Sequence, residues 1–328
     1  MKRKSIIILI IAVVVLASVV GACVFVMNLY NQTLQFTPQE NTVINYNNYA
    51  AGNSVDYRNG RFAWSNRTIF GVTGTVVHAD GQVQKIHGAG EQIQLLDGGT
   101  AFLDESELFI NKEGKTCIAR NVDSFVAIGT DILYSQCSDS YESTLYWYDA
   151  KAETSKVVAQ NVDAYCVDEH KLIVLDNSGW VTLYTETAVE KKIKLEVPRY
   201  PITLMLQDNN LLYRSLNGLH LVNLDTGAEQ EIVLSEGEYV NDRISFICDK
   251  DHIVCSFQAT RTQGSDVSNI ASPNNGVWLV DTIALEKQKL CDEAFGELYL
   301  WGDMLIGKNE TGTYQISMTN GEIASIFS

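Results

Sequence analysis

The chain has 328 residues, of which 46% are hydrophobic, 15 are tyrosine and only four are proline. This composition excludes a disordered, proline-rich protein and permits either two average domains or one large all-β domain. The formal net charge of −16 disfavours nucleic acid and anionic lipid headgroups as ligands, because like charges repel. A surface with this charge is soluble and would attract cations or basic partners.

The first predicted element is a transmembrane signal anchor over residues 6–27. This run of 22 residues has no charge, and a helix of that length extends roughly 33 Å, enough to cross the hydrocarbon core of a bilayer. Residues 1–5 form a basic cytoplasmic tail, whereas no lysine or arginine occurs from Asn28 to Tyr57. The positive-inside rule therefore predicts a single-pass protein of the cell membrane, with its N-terminus inside and its C-terminal domain outside.

A lipoprotein signal is the second interpretation of this segment. Val20-Gly21-Ala22-Cys23 loosely fits a lipobox, in which Cys23 would become the lipidated first residue. The apolar run continues after Cys23 as far as Met27, whereas lipobox cysteines are usually followed by small polar residues. We therefore favour the anchor. Both interpretations place the rest of the chain on the outer side of a membrane.

Residues 28–59 are predicted to form a polar tether. They are rich in Asn, Gln and Thr and lack sustained apolar periodicity, as is typical of a linker. A short run from Val43 to Tyr46 could add one edge strand to the domain that follows.

A sequence repeat organises the chain from residue 60 onward. Asn121-Val122-Asp123-Ser124-Phe125 returns 40 residues later as Asn161-Val162-Asp163-Ala164-Tyr165, and each copy is followed by short apolar runs between polar turns. Four short strands at a period of roughly 40 residues are typical of a β-propeller blade. We predict an all-β fold with a single β-propeller of four-stranded blades over residues 60–328, with seven blades favoured and six or eight as alternatives.

Each predicted blade has strands A to D, which run from the central channel outward. The near-continuous apolar character of the A strands fits burial between neighbouring blades. In blade 1, strand B is predicted at Thr68–Val72. The seven predicted A strands are Arg61–Ser65, Gln92–Leu96, Ser124–Ile128, Ala164–Val167, Ile202–Leu206, Ile244–Cys248 and Glu297–Trp301.

Six cysteines follow the membrane segment, and an even number permits disulfides in an exported protein. Most of them lie inside apolar strand runs, where a thiol serves as a small hydrophobic group. Only Cys248 and Cys255 flank one hairpin closely enough to form a plausible disulfide.

The usual catalytic motifs are absent from the sequence, which has no Gly-x-Ser-x-Gly elbow, phosphate-binding Gly-rich loop or His-Glu-x-x-His. The five histidines have no metal-ligand spacing. The stretch from Asp176 to Trp180 is similar to the Asp-box of sialidases, but its spacing is wrong and a turn is predicted there. Trp147, Trp180 and Trp278 are expected to pack between blades, with sugar stacking as the alternative.

A partial ring of carboxylates at one mouth of the channel is the candidate binding face. In an antiparallel blade the D–A and B–C connections emerge on the same side, and five acidic residues fall at or next to D–A junctions. The ring could receive a basic partner or hold Ca²⁺, which prefers oxygen ligands; the Ca²⁺ hypothesis names Asp123, Asp163 and Asp242. Alternatively, these acids begin strands by accepting hydrogen bonds from local backbone N–H groups. The five acids are Glu91, Asp123, Asp163, Asp242 and Glu297.

Two B–C loops project from the same face. Gln258 to Gly276 is an insertion in blade 6, and Ser138 to Ser143 is a shorter loop at the equivalent place in blade 3. Long loops in compact folds are either functional or disordered, and both alternatives are open. The polar side chains that these loops add to the candidate face are Arg261, Gln263, Asp266, Asp139 and Tyr141.

The stretch Asn45 to Asn53, followed by Gly60-Arg61-Phe62-Ala63-Trp64-Ser65-Asn66, resembles the lead-in of a family of surface β-propeller proteins from Gram-positive anaerobes. That family resembles the low-density-lipoprotein-receptor type of propeller. The resemblance covers these two stretches and the repeat rhythm from Ser124 onward. It implies a propeller fold at the cell surface and brings no catalytic residues.

The sequence therefore predicts a membrane-tethered, extracytoplasmic binding or scaffolding module, with no cofactor other than Ca²⁺ as a hypothesis. Its expected partner is a protein or a glycan, and not a nucleic acid. One alternative is a glycan-active hydrolase or lyase, which would need two carboxylates at catalytic separation. Another is an envelope-assembly factor that captures client strands at exposed blade edges. The fold alone does not decide between them.

Overall fold

The structure is a computed structural model, and it describes residues 11, 13–21, 23, 54–68, 71–90, 92–137, 143–168, 171–185, 188–195, 204–207, 209–214, 219–232, 240–248, 252–263, 268–301 and 304–327. Residues 13–21 are helical, and the Ser18 hydroxyl donates a hydrogen bond to the carbonyl of Val14 (2.9 Å). Within these ranges, no helix is both long and apolar enough to cross a membrane.

Seven consecutive antiparallel sheets make up the rest of the described chain. Blades 1 to 3 contain β1 (Val55–Arg58), β2 (Arg61–Thr68), β3 (Gly71–His78), β4 (Val83–His87), β5 (Ile93–Leu96), β6 (Gly99–Asp104), β7 (Glu107–Asn111), β8 (Lys115–Ala119), β9 (Val122–Ile128), β10 (Asp131–Cys137), β11 (Ser143–Asp149) and β12 (Thr154–Gln160). Blades 4 and 5 contain β13 (Val162–Asp168), β14 (Lys171–Asp176), β15 (Trp180–Thr185), β16 (Ala188–Lys194), β17 (Leu204–Gln207), β18 (Asn210–Arg214), β19 (Leu219–Asn223) and β20 (Glu229–Ile232). Blades 6 and 7 contain β21 (Val240–Cys248), β22 (His252–Gln263), β23 (Ser268–Ala271), β24 (Gly276–Asp281), β25 (Lys287–Cys291), β26 (Glu297–Trp301), β27 (Met304–Asn309), β28 (Gly312–Ser317) and β29 (Ile323–Ser325).

Each sheet is formed by strands that are consecutive in the chain, and the inner strands contact one another between blades 1 and 2, 2 and 3, 4 and 5, 5 and 6, and 6 and 7. This arrangement confirms the all-β fold and the seven four-stranded blades. Blade 6 has a fifth strand, β23, which pairs with the end of β22. Among the described strands, none from one end of the chain completes a blade at the other. The predicted edge strand from Val43 to Tyr46 lies outside the described residues.

The assignment of blade 1 was wrong by one strand. Its inner strand is Val55–Arg58, which falls inside the predicted tether, so Arg61–Ser65 belongs to the second strand. Thr68–Val72, predicted as strand B, covers the connection between β2 and β3. The inner strand escaped prediction because two of its four residues, Asp56 and Arg58, are charged, although Asp56 is completely buried.

The hydrophobic core lies in layers between blades. At the seam where the ring closes, Tyr57 and Trp64 of blade 1 pack in one cluster with Tyr299 and Ile306 of blade 7. The ring of Trp64 lies 5.0 Å from that of Phe327, between ring centroids. Apolar packing across every seam explains why the inner strands carry apolar residues on both faces.

In three of the described inner strands, a side chain also contacts the backbone of the next blade. The carboxylate of Asp56 accepts a hydrogen bond from Leu95 N–H (2.6 Å) in blade 2. Gln94 of blade 2 accepts from Ala127 N–H (2.6 Å) and donates to the carbonyl of Phe125 (3.0 Å) in blade 3. These two buried side chains occupy equivalent positions, because Asp56 faces Ala63 and Gln94 faces Ala101 on their second strands.

In blade 5 the equivalent residue is Met205, whose sulfur lies 3.1 Å from the backbone nitrogen of Cys248 in blade 6. Thioether sulfur is a weak acceptor, so this contact is softer than the polar ties of blades 1 and 2. The repeat therefore conserves the geometry of the contact while its chemistry changes from blade to blade.

The similar endings of the C strands form a recurring turn cap. The side-chain oxygen of Asp149 accepts hydrogen bonds from the N–H groups of Lys151 and Ala152, and Asn223 and Asp281 do the same in blades 5 and 6. These N–H donors lower the pKa of Asp149 and of Asp281 because they stabilise the carboxylate.

The predicted disulfide is absent, because Cys248 and Cys255 are both buried thiols that no disulfide joins. Cys255 lies directly opposite Phe246, and Cys248 lies opposite Ile253, so the two cysteines are diagonal neighbours on β21 and β22. Burial raises the pKa of the Cys255 thiol, with a smaller contribution from Cys248. Both side chains therefore serve as apolar packing groups. Cys23 is an exposed thiol in the N-terminal helical segment, and its lipidation stays a prediction.

Replacing Asp56 by asparagine should lower the free energy of unfolding by about 1–3 kcal/mol, because an amide has one acceptor oxygen for the N–H groups of Tyr57 and Leu95. Urea unfolding of the full chain, followed by circular dichroism, measures this change. Asp80→Asn is the matched control: among the described residues its exposed side chain accepts only from Gln82 N–H, and a change under about 0.5 kcal/mol is expected. Equal stability of the two variants would show that the tie is unimportant.

The stabilising effect of Asp56 should depend on pH. Burial raises the pKa of Asp56 above its usual value of 3.8, opposed by Arg58 and by the two N–H donors. The stabilisation that protonated Asp56 contributes is fully present at pH values below the pKa that Asp56 has in the unfolded chain. It is lost as the pH rises through the higher pKa that Asp56 has in the folded protein. We expect the stability difference between wild type and Asp56→Asn to shrink with rising pH across that interval. Urea titrations at a series of pH values test this, and a difference that grows with pH would contradict it.

Candidate binding face

Asp123 and Asp163 lie at equivalent positions near the start of the inner strands of blades 3 and 4. Each follows an asparagine in the left-handed backbone region, Asn121 and Asn161, both with φ of 56°. Asparagine adopts this conformation more readily than most residues. The repeated Asn-Val-Asp motif therefore forms the connection between the preceding blade and the inner strand of the next one.

A β-bulge then turns each aspartate outward. The register of β9 against β10 shifts so that Asp123 has no partner, and the register of β13 against β14 shifts in the same way at Asp163. The valines before them, Val122 and Val162, are buried, whereas both aspartates are exposed. Bulges often re-aim side chains in this manner.

The environment of these two carboxylates favours their neutral form. Partial burial raises the pKa of Asp123, and the pKa of Asp163 is raised by partial burial and then by the nearby charge of Asp176. Neither side chain has an ion pair or a hydrogen bond within the described ranges. The alternative that local backbone N–H groups hold these acids therefore finds no described contact at Asp123 or Asp163.

An exposed tryptophan, Trp180, follows the B–C turn of blade 4 as the first residue of β15, on the same face. Asp176 accepts hydrogen bonds from the N–H groups of Ser178 and Trp180, both at 2.9 Å, which confirms the predicted turn. The side chain of Trp180 is 44% exposed, and Lys194 Nζ lies 5.4 Å from its ring centroid. The expectation of packing between blades was thus wrong for Trp180.

The other two tryptophans are held by the protein through their indole N–H groups. Trp147 donates to Asp131 (3.1 Å), and Trp278 donates to the carbonyl of Asn274 (2.8 Å). Both side chains are partly buried. Trp278 packs against the core cluster shared by blades 5, 6 and 7, and Trp147 packs against the cluster shared by blades 3 and 4.

Glu297 also lies at the start of an inner strand, in blade 7, but it pairs in register with Lys308 instead of lying in a bulge, and its carboxylate is engaged in closing the ring. It accepts a hydrogen bond from the hydroxyl of Ser54 (2.8 Å), contacts the hydroxyl of Tyr299 and lies 3.7 Å from Lys308 Nζ. Burial, and then the charge of Glu297, raise the pKa of Tyr299 well above its usual value. These contacts join blade 7 to the first described residue of blade 1.

The remaining predicted residues are described partly or not at all. Asp242 lies on β21, and Arg261 and Gln263 lie on β22, where only the backbone is described. The predicted blade 6 loop is in part a hairpin, because Thr260 to Gln263 pair with β23 and extend the blade on the candidate face. The residues that lie outside the described ranges are Glu91, Asp139, Tyr141 and Asp266.

The Ca²⁺ hypothesis stays a prediction. In the part of the chain that the structure describes, no group of three or more His, Cys, Asp or Glu side chains is arranged to hold a metal ion. The side chain of Asp242, one of the three proposed ligands, is outside that part. Asp123 and Asp163 are therefore the described members of the candidate face that remain available to a partner.

The opposite face carries a pocket that the sequence analysis missed. It lies between blades 1 and 2, has a volume of about 450 Å³ and is lined by Asn59, Arg61, His78, Gln84, Asp97, Gly98, Gly99, Asn111 and Lys112. These residues come from the A–B and C–D turns of two blades and from the strand ends that flank those turns. Because their spacing in the sequence follows no motif, only the assembly of the two blades brings them together.

Comparisons with known proteins identify the fold alone. No family model and no curated protein matches the chain. A puromycin hydrolase variant has a TM-score of 0.58 and 11% identity over 86% of this chain and 53% of its own. The computationally designed protein Ika8 has a TM-score of 0.52 and 11% identity, covering 89% of this chain and 87% of its own. The extracellular domain of BT4673 from B. thetaiotaomicron, described as a hybrid two-component system, has a TM-score of 0.52 and 13% identity over 91% of this chain and 44% of its own.

Three acid-to-amide substitutions should show, by their effects on stability, which carboxylates have a structural role and which do not. Glu297→Gln should lower the free energy of unfolding by about 1–2 kcal/mol, because a buried network loses a charged acceptor. Asp123→Asn and Asp163→Asn should leave it within about 0.5 kcal/mol of wild type, since neither side chain has a described partner. Thermal unfolding of the full chain measures all three. Comparable destabilisation by all three would favour a structural role for the two aspartates.

Proposed function

We propose that this protein is a membrane-tethered, extracytoplasmic binding module whose D–A face receives a protein partner with a basic surface. The observation that carries the proposal is the pair of exposed, unpaired carboxylates, Asp123 and Asp163, at equivalent places on adjacent blades.

The raised pKa values of both aspartates support a cationic partner. Their ionised forms are poorly solvated, so a lysine or arginine brought close to them would stabilise the carboxylates. The net charge of the chain becomes −19 without Lys2, Arg3 and Lys4, and long-range attraction would steer a basic protein towards it.

Trp180 adds an apolar and aromatic surface beside these charges. Aromatic residues are enriched in the buried centres of protein interfaces, where they bury a large area at little entropic cost. Its ring already lies near Lys194 and could accept a further cation from a partner.

The membrane tether rests on the sequence. The basic tail and the uncharged stretch over residues 6–27 predict the anchor and its orientation, and residues 13–21 within that stretch are helical. The resemblance to surface propellers from Gram-positive anaerobes supports the same location.

Particular contacts weigh against each of the two alternatives. For a glycan hydrolase, the acid whose charge acts on Asp163 is Asp176, and one oxygen of its carboxylate already accepts two backbone N–H groups in a turn. For strand capture, the outer strands β16 and β25 carry lysines, and lysines on sheet edges discourage pairing with another strand.

The proposal is tested by cross-linking the tagged full chain on intact cells and identifying the captured proteins. A partner with a basic surface is expected, and the Asp123→Asn/Asp163→Asn double variant should recover about fivefold less of it, because two ion pairs are lost. Capture by wild type should also fall as ionic strength rises.

The matched control is the double variant Asp80→Asn/Glu153→Gln, which removes two charges from C–D turns on the opposite face. Its recovery of the partner should equal that of wild type. If both double variants lose the partner equally, net charge rather than the D–A face is responsible. A captured partner with no basic surface would also contradict the proposal.

A further inference from the structure

The pocket between blades 1 and 2 lies on the face opposite Asp123 and Asp163. We propose that it is a second binding site, specific for a small anion that carries hydroxyl groups, such as a sugar acid or a sugar phosphate. This site is independent of the protein-binding face proposed above, because its lining residues come from the other end of the blades.

The pocket is built by the close approach of two turns. Gly98 has a positive φ of 88° in the A–B turn of blade 2, a conformation that glycine adopts without strain. A Cβ atom at Gly99 would lie 2.7 Å from Lys112 Cγ and 2.8 Å from the carbonyl oxygen of Asn111. The absence of a side chain at Gly99 therefore lets the C–D turn pack against it and places Lys112 at the pocket.

Arg61 is the anchored cation of the pocket. Its guanidinium donates hydrogen bonds to the carbonyls of Gly99 (3.1 Å) and Leu96 (2.5 Å), which hold it across the seam between the two blades. His78 lies directly opposite Arg61 on β3, so both side chains leave the same face of blade 1. Arginine stays charged at all physiological pH values and presents several donors to an anion.

The other lining side chains are not satisfied by the protein. Within the described ranges, no hydrogen bond or ion pair is made by the side chains of His78, Lys112, Asn59, Gln84 or Asn111. In contrast, the carboxylate of Asp97 interacts electrostatically with Arg61. Polar groups that converge on a concave surface without partners are typical of a ligand site, where they fix orientation and specificity.

The lining defines the chemistry of the ligand. The two cations Arg61 and Lys112 outnumber the single lining carboxylate, Asp97, which favours an anion. The three amides, Asn59, Gln84 and Asn111, each offer donors and an acceptor, which suits hydroxyl groups. No aliphatic or aromatic hydrocarbon side chain lines the pocket, so the lining side chains offer polar groups to a ligand. The volume of about 450 Å³ falls within the usual range for small-molecule sites.

The net negative charge of the chain does not prevent an anion from binding there. At physiological ionic strength, charges more than about 8 Å apart are largely screened, so the local balance of the pocket decides. The acidic D–A face lies at the other end of the blades and contributes little at that distance.

Isothermal calorimetry on the detergent-solubilised full chain tests the site with four probes: glucuronate, glucose 6-phosphate, glucose and inorganic phosphate. Glucuronate or glucose 6-phosphate should bind more tightly than glucose and inorganic phosphate. Whichever of the two binds more tightly identifies the charged group as a carboxylate or a phosphate. Lys112→Gln should weaken that binding about tenfold, because a charge-assisted hydrogen bond is lost.

Lys151→Gln is the matched control, because Lys151 is exposed in the equivalent C–D turn of blade 3. It should bind as wild type does, and His78→Gln should weaken binding as Lys112→Gln does. Unchanged unfolding temperatures would show that the variants fold normally. The proposal is overturned if neither anionic sugar binds, if glucose or inorganic phosphate binds as tightly, or if Lys112→Gln and Lys151→Gln behave alike.

Discussion

The contact between the inner strands of neighbouring blades is the constraint on which the rest of this structure depends. Each inner strand is short, is buried on both faces and must pack against the inner strand of the next blade. Asp56 and Gln94 meet this demand with hydrogen bonds to the backbone of the following blade, and Met205 meets it with a sulfur contact. Where blade 7 meets blade 1, Ser54 and Glu297 complete the ring. The turns at both ends of the blades are positioned by these strands, so both proposed sites inherit their geometry from the same contacts.

Carboxylates near the starts of inner strands serve different purposes in different blades. A β-bulge leaves Asp123 and Asp163 without a residue opposite them on the second strand, and neither side chain has a hydrogen bond or ion pair within the described ranges. Glu297 lies directly opposite Lys308, where the register of β26 against β27 does not shift, and it contacts Ser54, Tyr299 and Lys308. A carboxylate near the start of an inner strand is therefore a structural group in blade 7 and a candidate ligand group in blades 3 and 4.

Prediction from the sequence succeeded where local pattern and burial agree, and failed where they conflict. Six inner strands were confirmed because their apolar runs are also the buried runs. The strand Val55–Arg58 was missed because its buried acid, Asp56, accepts a hydrogen bond from Leu95 N–H, which is 39 residues away in the chain. The charges of Arg58 and Arg61 also stabilise the carboxylate, but no sequence pattern shows that they face it. The blade 6 insertion was expected as a loop because its residues are polar, but backbone pairing between β22 and β23 extends the sheet without an apolar pattern.

The sequence by itself determined the repeat, the four-stranded rhythm, the seven blades and the acidic character of the chain, because each of these is a local or additive property. It also located Asp123 and Asp163, since a recurring Asn-Val-Asp motif is visible without a structure. Only the tertiary structure decided which carboxylates are free, that Cys248 and Cys255 are separate thiols, and that Arg61, His78 and Lys112 share a pocket. These outcomes depend on which turns and strands meet between two blades. The residues that meet there are separated in the chain by distances that follow no recognisable pattern, so the sequence does not show that they are neighbours.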